Sequence, residues 1–190
     1  MRFSADAVVD HPVDRVYRVY RDALTEVAVE IANVERIEES ARLPHPGGVE
    51  IANVWHGQGW IPRLVRHIIF PEMLVWDARV IWYDGPATCD WRITTRYFRE
   101  CVDCHGTILF VAPAAGQTRI TMQGRLDITL DSVTAIPARF RRRVAAAAER
   151  LLCGMVPPNL QGVAHRIDLH LRSATDAAEA PRRLATAAVD

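Results

Sequence analysis

The 190-residue sequence predicts an α+β fold, in which a curved antiparallel sheet of about seven strands carries a long C-terminal helix across its apolar face. Short segments with alternating polar and apolar residues follow one another from residue 31 to residue 130. Apolar residues then recur at helical spacing from residue 136 onward. Because 49% of the residues are apolar and 24% are charged, the chain can bury a sizeable core as a single domain.

The N-terminal segment predicts a strand followed by an amphipathic helix. Residues 3–9 form the expected strand, and Pro12 then suits the beginning of a helix. Apolar and aromatic side chains recur every three or four residues over the next two turns, which places one stripe toward the core. The stripe consists of Val13, Val16, Tyr17, Tyr20 and Leu24.

A hairpin and a short helix are predicted next. Residues 31–43 and 49–55 read as two antiparallel strands, joined by the turn-forming residues 44–48. Residues 60–69 then predict a short helix with apolar side chains inside and with Arg63 and Arg66 on its outer side.

The remaining strands are expected at residues 74–83, 88–98, 104–111 and 118–130. Two of them alternate cleanly, so that one face is apolar and the other polar, as in an antiparallel sheet that packs on one side only. In the strand at 88–98 the apolar set is Cys89, Trp91, Ile93, Thr95 and Tyr97. In the strand at 118–130 it is Ile120, Met122, Gly124, Leu126 and Ile128.

The C-terminal region predicts the long helix. One apolar stripe is formed by Ile136, Phe140, Val144, Ala147 and Leu151. We expect Gly154 and the pair Pro157-Pro158 to break or kink this helix, with a second segment at 160–171. The domain is therefore predicted at residues 1–172, with a peripheral Ala-rich tail at 173–190.

Composition excludes several classes of function. The 23 basic residues balance 23 acidic ones, so no global charge attracts nucleic acid. All the basic residues are arginine, and the absence of lysine excludes Schiff-base enzymes and the P-loop lysine. No serine lies in a G-x-S-x-G motif, and the N-terminus has no apolar segment of the signal-peptide kind, which favours a cytoplasmic location.

The sequence Cys101-Val102-Asp103-Cys104-His105 matches the C-x-x-C-H pattern. This pattern attaches haem in exported proteins, and cysteine and histidine also bind zinc. A weak alternative is therefore a metal site at Cys101, Cys104 and His105. Because the motif lies at the start of a predicted strand and lacks a second ligand pair, we expect reduced thiols, open to oxidation, and no cofactor.

Aromatic residues are the strongest positive signal. An apolar sheet face under a helix encloses a cavity in this architecture, so its side chains can bind an apolar ligand as well as pack. The predicted ligand-binding residues are Trp55, Trp76, Trp91, Ile93, Tyr97, Met122, Phe140 and Val144. A basic rim is predicted at Arg63, Arg66, Arg139 and Arg143, where anionic lipid head groups or a membrane surface could be met transiently.

An alternative interpretation uses carboxylates. Glu35, Ile37, Glu39, Ala41 and Leu43 are expected to share one strand face. If that face lines the cavity, Glu35 or Glu39 is a candidate general base, with His56 or Tyr97 as its proton partner. This interpretation predicts an enzyme rather than a carrier.

The order of elements resembles the START-like, or helix-grip (SRPBCC), superfamily over residues 2–172. The resemblance begins with the strand and aromatic helix at residues 3–22, FSADAVVDHPVDRVYRVYRD. Trp55, the Pro-led segment 61–66 and the strand from Leu74 resemble the PRELI-like lipid-transfer branch. The resemblance implies binding or transport of a small hydrophobic or lipidic molecule between sheet and helix. A cyclase or dehydratase on the same scaffold, or a protein-interaction module without ligand, are the alternatives.

Overall fold

The computed structural model describes residues 1–28, 31, 33–58 and 73–187, with side chains described as far as residue 175. Strand β1 (Arg2–Val9) leads into helices α1 (Val13–Asp22) and α2 (Leu24–Val27). The other strands are β2 (Val34–His45), β3 (Gly48–Gly57), β4 (Val75–Tyr83), β5 (Thr88–Thr95), β6 (Val102–Val111) and β7 (Thr118–Ile128). A 3-10 turn at Arg99–Cys101 precedes β6, and helix α3 (Ala138–Ala187) follows β7.

Within the described residues, the strands form one open sheet of seven, in the order β1-β7-β6-β5-β4-β3-β2. Every neighbouring pair is antiparallel. Tight turns with glycines at positive φ, Gly47 and Gly85, close the β2–β3 and β4–β5 connections, because such a backbone conformation favours a residue without Cβ. The predicted α+β fold with a seven-strand sheet and a long C-terminal helix is confirmed.

The sheet has an inner face, defined here as the face on which Trp82, Cys89, Ile108 and Ile120 are buried. Direct cross-strand neighbours keep this face in register across the sheet. One row on it runs through Ile51, Val80, Trp91, Gly106, Gly124 and Phe3. The outer face carries the polar members of the same strands, which explains the alternation in the sequence.

Helix α1 covers one end of the inner face with two tyrosines. Tyr17 and Tyr20 pack edge-on or tilted against Trp82 and Phe110, with ring centroids 5.2–5.6 Å apart. The Tyr17 hydroxyl lies 2.8 Å from the carbonyl oxygen of Tyr83, to which it donates. This end of the sheet is therefore a closed aromatic core.

Helix α3 packs against β1, β7 and the two short helices through its middle portion. Its buried side chains there are Leu160, Val163, Ala164, Ile167 and Leu171. The apolar stripe predicted further toward the N-terminus is wrong in part, because Phe140 and Leu151 are exposed, at 41% and 45%. The side chain of Glu149 joins this earlier part to the sheet by accepting a hydrogen bond of 2.9 Å from the Ile128 backbone.

Of the break or kink expected at Gly154 and Pro157-Pro158, the break does not occur, since α3 runs without interruption from Ala138 to Ala187. A proline inside a helix removes one backbone hydrogen bond and crowds the preceding turn. Buried residues on both sides of the prolines, Cys153 and Leu160, hold the two turns against the same core. Tertiary packing thus offsets the local cost, and the backbone remains helical beyond residue 173.

The prediction of one shared strand face in β2 is wrong. The residues concerned are Glu35, Ile37, Glu39, Ala41 and Leu43. The pairing with β3 shifts between Val34 and Arg36 and again between Glu39 and Ala41. Each shift inserts an extra residue, and one extra residue moves all later side chains to the opposite face. Ile37 and Glu39 stay opposite the inner-face residues Trp55 and Asn53, whereas Glu35, Ala41 and Leu43 do not join them.

The helix predicted at residues 60–69, with Arg63 and Arg66, lies outside the described residues. In the described part of the chain, no helix combines the length and apolar character that crossing a membrane requires.

Candidate functional site

The candidate site lies at the end of the inner face away from α1. Here Trp55 of β3, Trp76 of β4 and Thr95 of β5 are direct cross-strand neighbours. The indoles of Trp55 and Trp76 stack with centroids 6.0 Å apart and planes inclined by only 17°. Both tryptophans are only partly buried, so part of their aromatic surface is not covered by protein.

A third indole, that of Trp91, forms the floor beside this pair. Trp91 lies across Gly106 and Gly124, and a Cβ at either glycine would come within 2.6 Å of its ring. Phe3 lies beside it with a centroid distance of 6.0 Å. The two glycines therefore allow a large flat ring to lie directly on the sheet backbone.

The predicted ligand-binding residues lie in three different places. Trp55, Trp76, Trp91, Ile93 and Met122 all lie on the inner face. Tyr97 and Phe140 are instead exposed at 46% and 41%. Val144 packs on a separate small cluster formed by Cys101, Val133 and Ile136.

Polar groups on this face were not among the predicted site residues. Asn53 is buried with 5% of its surface exposed, directly between Ala78 on β4 and Glu39 on β2. The buried atoms Trp55 Nε1, Trp91 Nε1 and Thr95 Oγ1 have no hydrogen-bond partner within the described part of the chain. The sequence signal for Asn53 and Thr95 was their position in alternating strands, where an apolar residue is the usual occupant.

The candidate acid–base residues are not brought together. Glu35 is exposed and lies 3.5 Å from Arg36, while Glu39 is held by Arg42 through hydrogen bonds of 2.9 and 2.8 Å. His56 points to the outer face, where its Nε2 is 3.6 Å from Glu38. With Tyr97 exposed as well, these side chains form no cluster around the inner face.

The cysteines of the C-x-x-C-H sequence point to different places. Cys104 faces the main core, whereas Cys101 belongs to the separate cluster and lies 3.5 Å from the Ser132 hydroxyl. Burial, with a smaller contribution from nearby Cys153, raises the pKa of the Cys104 thiol to about 12. Burial also raises the pKa of Cys89 and of Cys153. All the cysteines are free and buried, so reactive thiolates are not favoured.

No group of three metal-ligating side chains occurs among the described residues. His105 lies on the outer side of β6, 3.3 Å from the Asp103 carboxylate. A ring on the outer face cannot join Cys104 on the inner face around a single ion.

Two arginines of the predicted basic rim are described. Arg139 and Arg143 are exposed at the start of α3. The guanidinium carbon of Arg139 lies 4.8 Å from the ring centroid of Phe140. An exposed aromatic ring beside cationic groups is typical of surfaces that meet anionic interfaces.

A groove of about 380 Å³ lies on the opposite flank, between β1 and α3. Asp168 lines it and is held by Arg172 at 2.8 Å and by His11 at 3.5 Å. Because the lining carries the carboxylates of Asp6, Asp10 and Asp168, this groove is not a site for an apolar ligand.

Neither a protein-family model nor a curated protein sequence matches the chain. Solved structures do match it over most of its length. A Thermus thermophilus protein has a TM-score of 0.63 at 17% identity, covering 88% of this chain and 97% of its own. The Zhui aromatase/cyclase from a Streptomyces species has a TM-score of 0.61 at 17% identity, covering 92% and 97%.

A Mycobacterium smegmatis protein matches with a TM-score of 0.53 at 16% identity, covering 91% of this chain and 92% of its own. At such low identity these similarities show the fold alone. These similarities do not confirm the PRELI-like branch, so that finer resemblance stays a prediction. The similarities and the strand order together show that the chain has the helix-grip fold.

Proposed function

We propose that this protein binds a small hydrophobic or lipid-like molecule between the inner face of the sheet and α3, and acts as its carrier. The observation that carries the proposal is the stacked pair Trp55–Trp76, which lies on the inner face and is only partly buried. A sheet face that served packing alone would bury such rings completely, as it does Trp82 at the other end.

The chemistry of the face supports an apolar ligand. Each square ångström of apolar surface removed from water contributes about 25 cal/mol, so a ligand covering both indoles gains several kcal/mol. The scattered acid–base candidates give no comparable support to an enzyme, and the similarity to an aromatase/cyclase concerns the fold. A carrier is therefore the function that the described residues favour.

Titration with Nile red, a neutral solvatochromic dye, tests the proposal. Ile93 on the inner face and Leu109 on the outer face form a matched pair of aliphatic side chains in adjacent strands. We expect saturable binding, weakened about tenfold by Ile93→Ala and unchanged by Leu109→Ala. Equal effects of the two substitutions would contradict a site on the inner face.

We further propose that the protein exchanges a lipid-like ligand with an anionic membrane surface. Arg139 and Arg143 with the exposed ring of Phe140 support this step, since arginines near an anionic surface contribute about 1 kcal/mol each. Vesicles with and without phosphatidylserine provide the test. We expect Arg139→Gln and Arg143→Gln to weaken sedimentation with anionic vesicles, whereas Arg119→Gln on the outer face does not.

We place this activity in the cytoplasm. The free cysteines Cys89, Cys101, Cys104 and Cys153 support this placement, because reduced thiols persist in a reducing compartment. Fractionation of the native cells, with detection of the protein in the supernatant after ultracentrifugation, tests it.

A further inference from the structure

Three buried polar atoms on the inner face have no hydrogen-bond partner in the described part of the chain. They are the indole nitrogens of Trp55 and Trp91 and the hydroxyl oxygen of Thr95. A buried N–H without a partner is costly, and native proteins leave very few of them. Trp91 is more than nine-tenths buried, at 8% exposed, so bulk water does not satisfy its N–H.

The chemistry of these atoms specifies their missing partner. An indole nitrogen carries one hydrogen and has no lone pair to offer, so it can only donate. Its partner must therefore be an acceptor, and in a small organic molecule the common acceptor is oxygen. The Thr95 hydroxyl can also donate to such an atom.

Two of these atoms belong to one row of the inner face, and the Trp91 indole lies beside that row, over Gly106 and Gly124 of the neighbouring strands. Trp55 and Thr95 lie in the same cross-strand row on either side of Trp76, roughly 10 Å apart at the usual strand spacing. In the next row the small side chain of Ala78 lies between Asn53 and Ile93. A flat molecule lying on Trp76 and above Ala78 would thus have polar groups near its edges.

The charged side chains on the same face indicate whether the acceptor oxygen of the ligand is charged or neutral. From β3 to β7, the described inner-face residues include no arginine, histidine, aspartate or glutamate. The inner-face register of the edge strand β2 carries Glu39 and Arg42, and Arg42 is paired with both Glu39 and Asp22. Among these described strand residues a buried carboxylate or phosphate would find no free cation, and an unpaired buried charge is strongly unfavourable.

Resting on the proposed function, we propose that the ligand is a flat, neutral molecule bearing carbonyl-type oxygens, which accept hydrogen bonds from the indole N–H groups of Trp55 and Trp91. A plain hydrocarbon leaves both donors unpaired, and a fatty acid or phospholipid head group brings a charge that this face does not neutralise. The class that fits is a neutral polycyclic or conjugated ketone.

Three probes with one ring skeleton test this inference by calorimetry. Fluorene is the hydrocarbon, 9-fluorenone adds a single neutral carbonyl, and 9-fluorenone-2-carboxylate adds a charge. One net hydrogen bond corresponds to a three- to tenfold difference in affinity. We expect 9-fluorenone to bind about three- to tenfold more tightly than fluorene, and the carboxylate more weakly than either.

Conservative variants assign the preference to the donors. Trp55→Phe and Trp91→Phe keep an aromatic ring but remove the N–H, and together they should abolish the preference for 9-fluorenone. Trp76→Phe is the matched control, because it removes an indole from the same face whose nitrogen is not among the unpartnered atoms. This substitution should weaken the binding of both 9-fluorenone and fluorene, while the ratio of their affinities stays the same.

Nuclear magnetic resonance measures the chemical shifts of the indole N–H protons, which report directly on a hydrogen bond to the ligand. Binding of 9-fluorenone should shift the Trp55 or Trp91 indole proton downfield, and fluorene should not. Equal binding of fluorene and 9-fluorenone overturns this inference but leaves the carrier function standing. Binding of neither probe overturns both, and a ratio unchanged by the Trp55→Phe, Trp91→Phe pair overturns the assignment to these donors.

Discussion

The indole of Trp91 lies so close to Gly124 that a single added methyl group at that glycine would stand 2.6 Å from the ring. Gly106, the direct cross-strand neighbour of Gly124, makes the same approach from the adjacent strand. The floor of the candidate site is thus built from two glycines and one tryptophan. Any side chain at either glycine must displace the ring or the sheet.

Substitution of this glycine tests the arrangement. Gly124→Ala forces the Trp91 and Phe3 rings to move, so we expect a loss of about 1–3 kcal/mol in the free energy of unfolding, as in other overpacked cores. Gly154→Ala is the control, because its Cβ meets nothing within 4 Å and lies in an α-helix. The free energy of unfolding of this control variant should rise by about 0.5–1 kcal/mol. Urea denaturation measures the stability of both variants. Equal effects on stability would mean that Trp91 does not rest on Gly124.

A second pair of substitutions, both in α3, tests which side of this helix packs on the sheet. Ile167 is completely buried, whereas Leu152 is 44% exposed. We expect Ile167→Ala to cost about 2–5 kcal/mol and Leu152→Ala less than about 1 kcal/mol, because only the first leaves a cavity. Thermal denaturation of both variants measures this difference. A larger loss for Leu152→Ala would contradict packing of α3 on the sheet through the side that carries Ile167.

We expect the two tyrosines of α1, the buried Tyr20 and the partly buried Tyr17, to cause a loss of stability at alkaline pH. Burial raises the pKa of the Tyr17 hydroxyl to about 12, and it raises that of the fully buried Tyr20 further. An unfolded tyrosine titrates near pH 10, so above that pH the unfolded chain releases a proton that the native protein retains. Stability contributed by these groups is complete below about pH 10 and falls as the pH rises toward 12.

Denaturation midpoints measured from pH 8 to pH 12 test this dependence. Above about pH 10, the free energy of unfolding should fall by up to about 1.4 kcal/mol per pH unit because of Tyr20. Tyr20→Phe, which lacks the hydroxyl, should show a shallower decline than the wild type. Identical alkaline slopes would contradict burial of Tyr20 between α1 and the sheet.

The thiols provide a fourth prediction. All four cysteines are buried, and burial raises the pKa of Cys89, Cys104 and Cys153. Because the thiolate is the reactive form, the native protein should react with Ellman's reagent only as slowly as it unfolds. Four thiols should react at once in guanidinium chloride. Fast native labelling at Cys101 and Cys104 would restore the redox interpretation of the C-x-x-C-H sequence.

Much of the fold could be predicted because alternation along a strand reports which face is buried. The strand β5 shows this well, since Cys89, Trp91 and Ile93 lie on the inner face as their spacing indicated. The sheet bulges in β2 could not be predicted in this way. They move Glu35 away from the face of Ile37 without leaving a recognisable residue pattern.

The long helix was predicted less well for two physical reasons. Prolines 157 and 158 oppose a helix locally, but the packing of Cys153 and Leu160 on one core outweighs that preference. The stripe containing Phe140 and Leu151 has helical spacing, yet periodicity cannot tell which part of a long helix meets the sheet. For the site, the tryptophans were visible in the sequence. That the Trp55 and Trp91 nitrogens lack partners among the described residues was visible only in three dimensions.

Native mass spectrometry of the protein purified without detergent tests the carrier function most directly. The account predicts a second species that is heavier by the mass of one small neutral molecule, which organic solvent extracts and which 9-fluorenone displaces. A single unliganded mass, together with no saturable uptake of Nile red by the native protein, would contradict it.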